Sequence, residues 1–427
     1  MHKRLVLLLL VILSLFCKSF SQPNNPFTPP EFFPSKAVLI EWPFNHSIWP
    51  LYSELISECQ KSAEVILIVR DKDEEEQMRS LLQDDGVPLS NTSFVHVPCE
   101  RMWIRDHGPL SIMTDDGVAF MDFDDLADSG PDEDLPTNLA NIWDLESYMV
   151  DWILCGGNFM VDSYGTLFTT DRLYSNNPSI SEATINETLS SYMGIEKIVT
   201  LSAMHDDYWG HIDMQMKLLN DTIMVISSVN DQSDPNFQIL ENNFNTINSL
   251  QAPNGKSYHI QRLPKADDWK TYTNSLILNN KVIVPVYDHP NDQVALDIYE
   301  SLLPEHDVVG VNANSIIQWE GAIHCITMQL FDKSYLLETA INDISTSRLT
   351  AYPNPVSKNN SITLQLPEQP LNNAEILVYN LSGSQLETIK VPNGESLVTF
   401  IWNHPPGVYL VSLSRGESIF STRVISF

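Results

Sequence analysis

The stretch WEGAIHCITMQL, Trp319 to Leu330, sets a histidine and a cysteine side by side at the head of a short apolar run. A cysteine in apolar company is most often inert filler. As a thiolate it is a nucleophile, and its ordinary pKa near ~8.5 must then be lowered by positive charge. The groups that could serve such a thiol lie far away in the chain. GHIDMQM holds His211 and Asp213, MWIRDHGP holds Trp103 and Asp106, GGNFMVD holds Asn158, and YTNSLIL holds Asn274. Two carboxylates suit one flat, delocalised cation, because bidentate pairing holds a guanidinium in plane. A zinc site from His211, Asp213 and Cys325 is the rival reading, although no Cys-x-x-Cys or His-Glu-x-x-His spacing supports it. Strand alternation would put His211 and Asp213 on one face and turn His324 away from Cys325, which makes His324 structural. Asp106 has an ion pair with Arg105 as its bland alternative. Asn158 and Asn274 have turn chemistry as theirs, and Trp103 a place in the core.

These residues sit at a period. Asp106, Asn158, His211, Asn274 and Cys325 are separated by 52, 53, 63 and 51 positions. Each opens a hairpin-like pair of apolar runs, with turns expected at Asp116-Gly117, Tyr164-Gly165, Asn220-Asp221 and Asn279-Asn280. A helical stretch and a further strand follow, as in NFQILENNFNTINSL, with Ile239, Phe244 and Ile247 at helical spacing, and then SYHIQRLP. The unit is ββαβ, and its recurrence indicates modules sharing one core. AIHCITMQL opens a last unit that the amino-terminal KAVLIEWP, YSELISECQ and EVILIVR would complete. Five modules would then form a ring whose equivalent positions face one pocket.

The 427 residues allow two or three domains, and the formal charge of −31 repels nucleic acid and anionic membrane while attracting cations. MHKRLVLLLLVILSLFCKSFSQ reads as a secretory signal peptide over residues 1–21, cut before Gln22 and too short to span a membrane. No later run is long enough to cross a bilayer. The mature chain keeps Cys59, Cys99, Cys155 and Cys325, too few for a disulfide framework, with any pairing unreadable. After STSRLTAYPNPVS the helical periodicity stops, and short alternating segments separated by Gly, Pro and Asn predict a small all-β sandwich over 345–427.

YPNPV, VYNLSG and GVYLVSLS in that tail resemble the C-terminal sorting domain of type IX secretion cargo. The resemblance implies export through that machinery and a secreted or surface-attached protein. WIRDHGP, GGNFMVD, GHIDMQMKLL, YTNSLILNN and GAIHCITMQ together resemble the agmatine deiminases and Porphyromonas-type peptidyl-arginine deiminases over nearly all of residues 33–342, within a catalytic domain expected over 22–344. That resemblance implies an α/β fold of pentein type, a five-bladed α/β propeller. It also implies hydrolysis of a guanidinium in agmatine, arginine or an arginine peptide to a ureido group and ammonia. Cys325 would be the nucleophile, His211 the proton carrier, Asp106 and Asp213 the guanidinium ligands, and Asn274 a positioning residue. Trp103 and Asn158 would line the substrate, and no redox cofactor is implied.

The peptidyl-arginine group is known for paired arginines after its RDxGP motif. Here FMDFDDLADSGPDEDLP, residues 120–136, has none. This acidic loop reads as a solvated surface, a binder of an amine or basic peptide, or a structural calcium site. The agmatine group has an Asp where Trp209 stands and a Glu where Cys155 stands. An amidinotransferase with the same covalent intermediate and a catalytically silent binding protein are the alternatives.

Overall fold

The computed structural model describes residues 22–427 except 43–44, 128–129, 254, 268, 332–348, 367–373, 380–384, 393, 406, 416–417 and 427. The signal peptide and the boundary between residues 344 and 345 lie outside the described residues. The amino-terminal sheet has strands β1 (Ala37–Glu41), β2 (Glu64–Val69) and β3 (Thr92–His96), with helices Trp49–Cys59 and Lys72–Asp84 between them. Strands β4 (Leu110–Thr114), β5 (Gly117–Asp124) and β6 (Glu146–Ile153) form the next sheet. Three more follow: β7 (Met160–Val161) with β8 (Thr166–Thr170) and β9 (Lys197–Leu201), then β10 (Met216–Leu218) with β11 (Ile223–Ser228) and β12 (His259–Pro264). The last of these joins β13 (Leu276–Leu278), β14 (Lys281–Val286) and β15 (Asp307–Asn312).

In these four sheets, β4 to β15, the first pair is antiparallel and the second parallel, as a hairpin followed by a helical crossover requires. Strand β16 (Met328–Leu330) is antiparallel to β1, with Leu39 opposite Met328, so the two ends of this region build one sheet. The helix Lys72–Asp84 and strand β3 enlarge that sheet and are additions to the expected pattern.

The hairpin turns fall where the sequence places them. Asn279 adopts φ 57° and Gly165 φ 76°, in the left-handed region that Asn and Gly tolerate best. The helix Pro235–Asn248 is capped by the Asp234 side chain, which accepts from the Asn236 backbone N–H. Its buried stripe is Asn236, Leu240, Asn243 and Ile247, one step from the expected Ile239, Phe244 and Ile247. Burying Leu240 contributes roughly 2 kcal/mol. The two asparagines do different work. Asn243 accepts from Ser202 N–H at 3.0 Å and Asn236 from His205 N–H at 2.7 Å. They pin the loop that leads into His211.

The tail forms two sheets. One holds strands 350–352, 361–365 and 397–401, and the other 375–379, 385–390, 407–415 and 418–426. Both contribute to one apolar cluster that includes Ile362, Leu364, Ile376, Val378, Trp402 and Val411. Among the described residues no helix is long and apolar enough to cross a membrane.

Candidate active site

The chemistry-bearing residues precede the first hairpin strand of their units, on or beside short turns and bends rather than on the strand itself. Asp106 lies on the turn Ile104–His107, Asn158 on Gly156–Asn158 and Asp213 on Ile212–Met214, with His211 just ahead of it. Cys325 departs most from expectation, because residues 323–326 form a turn and the strand begins only at Met328. The cause is local. Asn274 Oδ1 accepts from His324 N–H at 3.0 Å, and Thr327 Oγ1 donates to the Ile323 carbonyl at 2.9 Å, closing the backbone on itself. Strand alternation therefore does not govern His211 and Asp213, or His324 and Cys325.

The turns of different units meet. Asn274 Nδ2 lies 3.1 Å from Cys325 Sγ, and Arg105 N–H donates to the Cys325 carbonyl at 3.1 Å. His211 Nδ1 lies 3.7 Å from Asp106 Oδ1. Gly157 supports that ring closely, since a Cβ there would stand 2.9 Å from His211 Cγ. Trp103 lies against Gly321 in the same way, where a Cβ would meet its ring at 2.8 Å. Arg105 does not pair with Asp106. Its guanidinium donates to the His324 carbonyl, Met328 Sδ and Gln329 Oε1. Asn158 Oδ1 accepts from Thr170 N–H at 2.9 Å, so that oxygen organises strand β8.

Three buried polar atoms in this cluster have no hydrogen-bond partner among the described residues: Asp106 Oδ1, His211 Nε2 and Asp213 Oδ1. Buried polar atoms are nearly always hydrogen-bonded, so three orphans brought together from two units mark a place for a polar ligand. Burial pushes the Asp106 carboxyl up to about 6, against the opposing charge of His211. Burial alone would also raise Asp213, but the hydrogen bond and charge of His324 hold it below its ordinary range. Burial, then the Asp213 and Asp106 charges, pushes the Cys325 thiol well above its usual value. The resting sulfur is a thiol. A cation between the two carboxylates would remove the charge that keeps it so.

Chains that share this architecture decide its family. The profile of the Porphyromonas-type peptidyl-arginine deiminases matches residues 27–330. The chain belongs to that family. A putative agmatine deiminase of Vibrio parahaemolyticus is 26% identical over 352 residues, covering 71% of this chain and 96% of its own. The putative arginine deiminase structure from Porphyromonas gingivalis is 25% identical with a TM-score of 0.65, covering 71% of this chain and 98% of its own. The Enterococcus faecalis agmatine deiminase structure shares the fold at 21% identity and a TM-score of 0.66, covering 74% and 99%. Residues 350–426 match a secretion system C-terminal sorting domain. This family member is therefore a guanidino deiminase that is exported, either released or held at the cell surface.

The acidic loop of this deiminase is less solvated than its composition suggests. Asp125 and Asp132 are buried and both engage Arg101, whose Nε lies 3.1 Å from Asp132 Oδ2. Glu41, His107 and Asp132 lie closely enough to share a metal, but Arg101 already donates to His107 Nδ1 and Asp132 there. A guanidinium thus meets the charge that a calcium would have met. His211, Asp213 and Cys325 are not among the described groups close enough together to share one metal ion. All four described cysteines are free and buried. Sequence reasoning missed Asp207, a buried carboxylate that accepts from Gly210 N–H at 2.7 Å beside His211. It also missed Glu31 and Lys217, whose types carry no spacing signal.

Proposed function

We propose that this deiminase hydrolyses the guanidinium of arginine side chains in peptides or proteins to a ureido group and ammonia, through a covalent amidino-cysteine. The observation that carries it is the trio of orphaned atoms on Asp106, His211 and Asp213 around Cys325. The finer architecture is a five-bladed α/β propeller of pentein type over residues 22–344, followed by a β-sandwich sorting domain over 345–427 that engages the type IX machinery.

Asp106 and Asp213 take the guanidinium between them, neutralising their own charges and exposing its central carbon. The incoming cation offsets the carboxylates, lowers the thiol pKa and lets Cys325 pass its proton to His211 and attack. His211 donates a proton to the leaving nitrogen, so that ammonia rather than an amide anion departs. His211 then takes a proton from water, which attacks the amidino carbon. The carbon–sulfur bond breaks and the ureido product leaves. Asn274 orients the sulfur, Trp103 walls the alkyl arm, and Asn158 shapes the wall behind His211. None of these steps draws on a cofactor.

A peptide substrate is supported by the family profile, by export, and by the aromatic residues beside His211. Trp209 lies 6.2 Å from the His211 ring, and Tyr208, 65% exposed, meets Trp209 edge-on with ring centroids 5.3 Å apart. Agmatine is the second reading. Asp207 and Glu320 favour it, as carboxylates beside the site that could meet a free amine. The missing arginines of residues 120–136 weigh against a C-terminal arginine carboxylate. Mass spectrometry of agmatine, free arginine and internal-arginine peptides incubated with the mature chain tests all of these. Conversion of imine to carbonyl is expected in peptides, with water as sole acceptor. A requirement for an amine acceptor would show an amidinotransferase, and unchanged substrates a silent binding protein.

A further inference from the structure

Glu31 belongs to the segment that precedes the first strand, yet its side chain lies deep among the modules. Its Oε1 accepts from Ile277 N–H at 2.7 Å. Its Oε2 accepts from Lys217 Nζ at 2.5 Å and faces His324 Nε2 at 2.9 Å. The other ring nitrogen, His324 Nδ1, lies 2.6 Å from Asp213 Oδ2. Ionised carboxylates only accept, so a ring that meets one at each nitrogen donates from both and carries a charge. Lys217, Glu31, His324 and Asp213 therefore alternate in sign and end at Asp213 Oδ1, an orphaned atom of the candidate site.

We propose that Glu31 is a positioning residue for deimination: it holds His324 as a cation, which fixes Asp213 as a carboxylate with one oxygen turned to the substrate. This rests on the reading of Asp213 as a guanidinium ligand. The groups that face His324 are Glu31 from the amino-terminal segment, Lys217 from β10, Arg105 from the turn Ile104–His107, and Asp213 from its own turn, with Asp106, His211 and Cys325 beyond. Burial would raise the Glu31 carboxyl, but the charges of Lys217 and His324 outweigh it and hold it well below its ordinary range. Without Glu31 the ring would keep Asp213 as its one carboxylate, while Lys217 would lose its carboxylate partner and Arg105 would stay at the His324 carbonyl. The hold on the cationic ring would weaken, and with it the charge that keeps Asp213 ionised.

The test uses the mature full chain. In wild-type protein, nitrogen NMR of the histidine rings, with His324 assigned by its loss in His324→Gln, should show both nitrogens protonated at neutral pH. A neutral His324 overturns the proposal, whatever the activity. Glu31→Gln should lower kcat/KM about 10- to 100-fold, the usual effect of losing an outer-shell partner. A second proton should join its acid limb, which steepens and moves towards neutral pH. Glu31→Asp keeps the charge and should recover most of the loss. A folded Glu31→Gln with the wild-type acid limb overturns the proposal. Should Glu31→Gln fail to fold, the wild-type ring spectrum decides. Wild-type protein inactive on every guanidino substrate would instead defeat the functional reading, and the ring spectrum would still report on Glu31.

Discussion

Asn274 touches Cys325 with both ends of its amide. Nδ2 reaches the sulfur at 3.1 Å, while Oδ1 accepts from the backbone N–H groups of His324 and Cys325 at 3.0 and 3.4 Å. One side chain thus builds the turn and orients its nucleophile. Asn274→Asp keeps the acceptor but puts a carboxylate oxygen where the sulfur finds a donor. It should lower kcat about 100-fold, as loss of an oriented donor does elsewhere. Steady-state kinetics together with a thermal melt would separate this from unfolding.

How much of that arrangement was legible depends on the signal. The module period could be read because hairpin turns, strands and helices each have their own composition, and the active residues recur in phase with them. Their local shape could not. HCITMQL alternates like a strand, but its first residues are bent by hydrogen bonds to Asn274, 51 positions earlier. An ion pair with Arg105 was the bland alternative for Asp106, yet Arg105 finds its partners at 324–329. The acidic loop looked solvated because Arg101, its counter-charge, lies outside it. Long-range polar pairing leaves no local pattern.

The resting Cys325 thiol should be sluggish. Burial and two carboxylates raise its pKa, so alkylation by iodoacetamide at neutral pH should be slow and should accelerate only above the ordinary thiol range near ~8.5. Cys59, Cys99 and Cys155 are raised by burial as well, so peptide mapping is needed to assign the label. Fast labelling of Cys325 at neutral pH would contradict a thiol that awaits its substrate.

Asp106 trades stability for function. Its carboxyl is raised to about 6 in the folded chain, above its unfolded value of about 3.9. The folded state then binds the proton more tightly, so stability falls as pH rises from about 4 to about 6 and stays lower beyond. Asp106→Asn should remove that penalty and stabilise the protein by about 3 kcal/mol at neutral pH. It should also cost 100-fold or more in kcat/KM, on the scale of about 3 kcal/mol for a lost charged contact. In wild-type protein, kcat/KM should decline on the acid side of about 6, where the free enzyme loses this carboxylate. Paired denaturation curves and pH profiles of the two proteins provide the check.

Gly157 sits where the imidazole needs room. A Cβ added there would lie 2.9 Å from His211 Cγ, and the ring would have to shift away from Asp106. Misplacement by about 1 Å can cost 100-fold in rate. Gly157→Ala should therefore lower kcat by about that factor, with little change in KM, because the two carboxylates still hold the guanidinium. A rise in KM with kcat unchanged would place the ring in substrate binding rather than proton transfer.

The choice between peptide and small amine is written at the mouth of the site. Trp209 and Tyr208 lead outward from His211, and Tyr208 is 65% exposed. A solvent-facing aromatic gives nothing to the fold that a smaller residue would not, but it offers a face to the backbone or side chains around a peptidyl arginine. Agmatine is too short to need it. Tyr208→Ala should therefore lower kcat/KM for an internal-arginine peptide about 10-fold, on the scale of an aromatic contact worth about 1.5 kcal/mol. Turnover of agmatine, where present, should stay the same. Competition between the two substrates, followed by mass spectrometry in wild-type and Tyr208→Ala proteins, measures the ratio directly. An equal loss for both would move Tyr208 from the substrate's path into the support of His211.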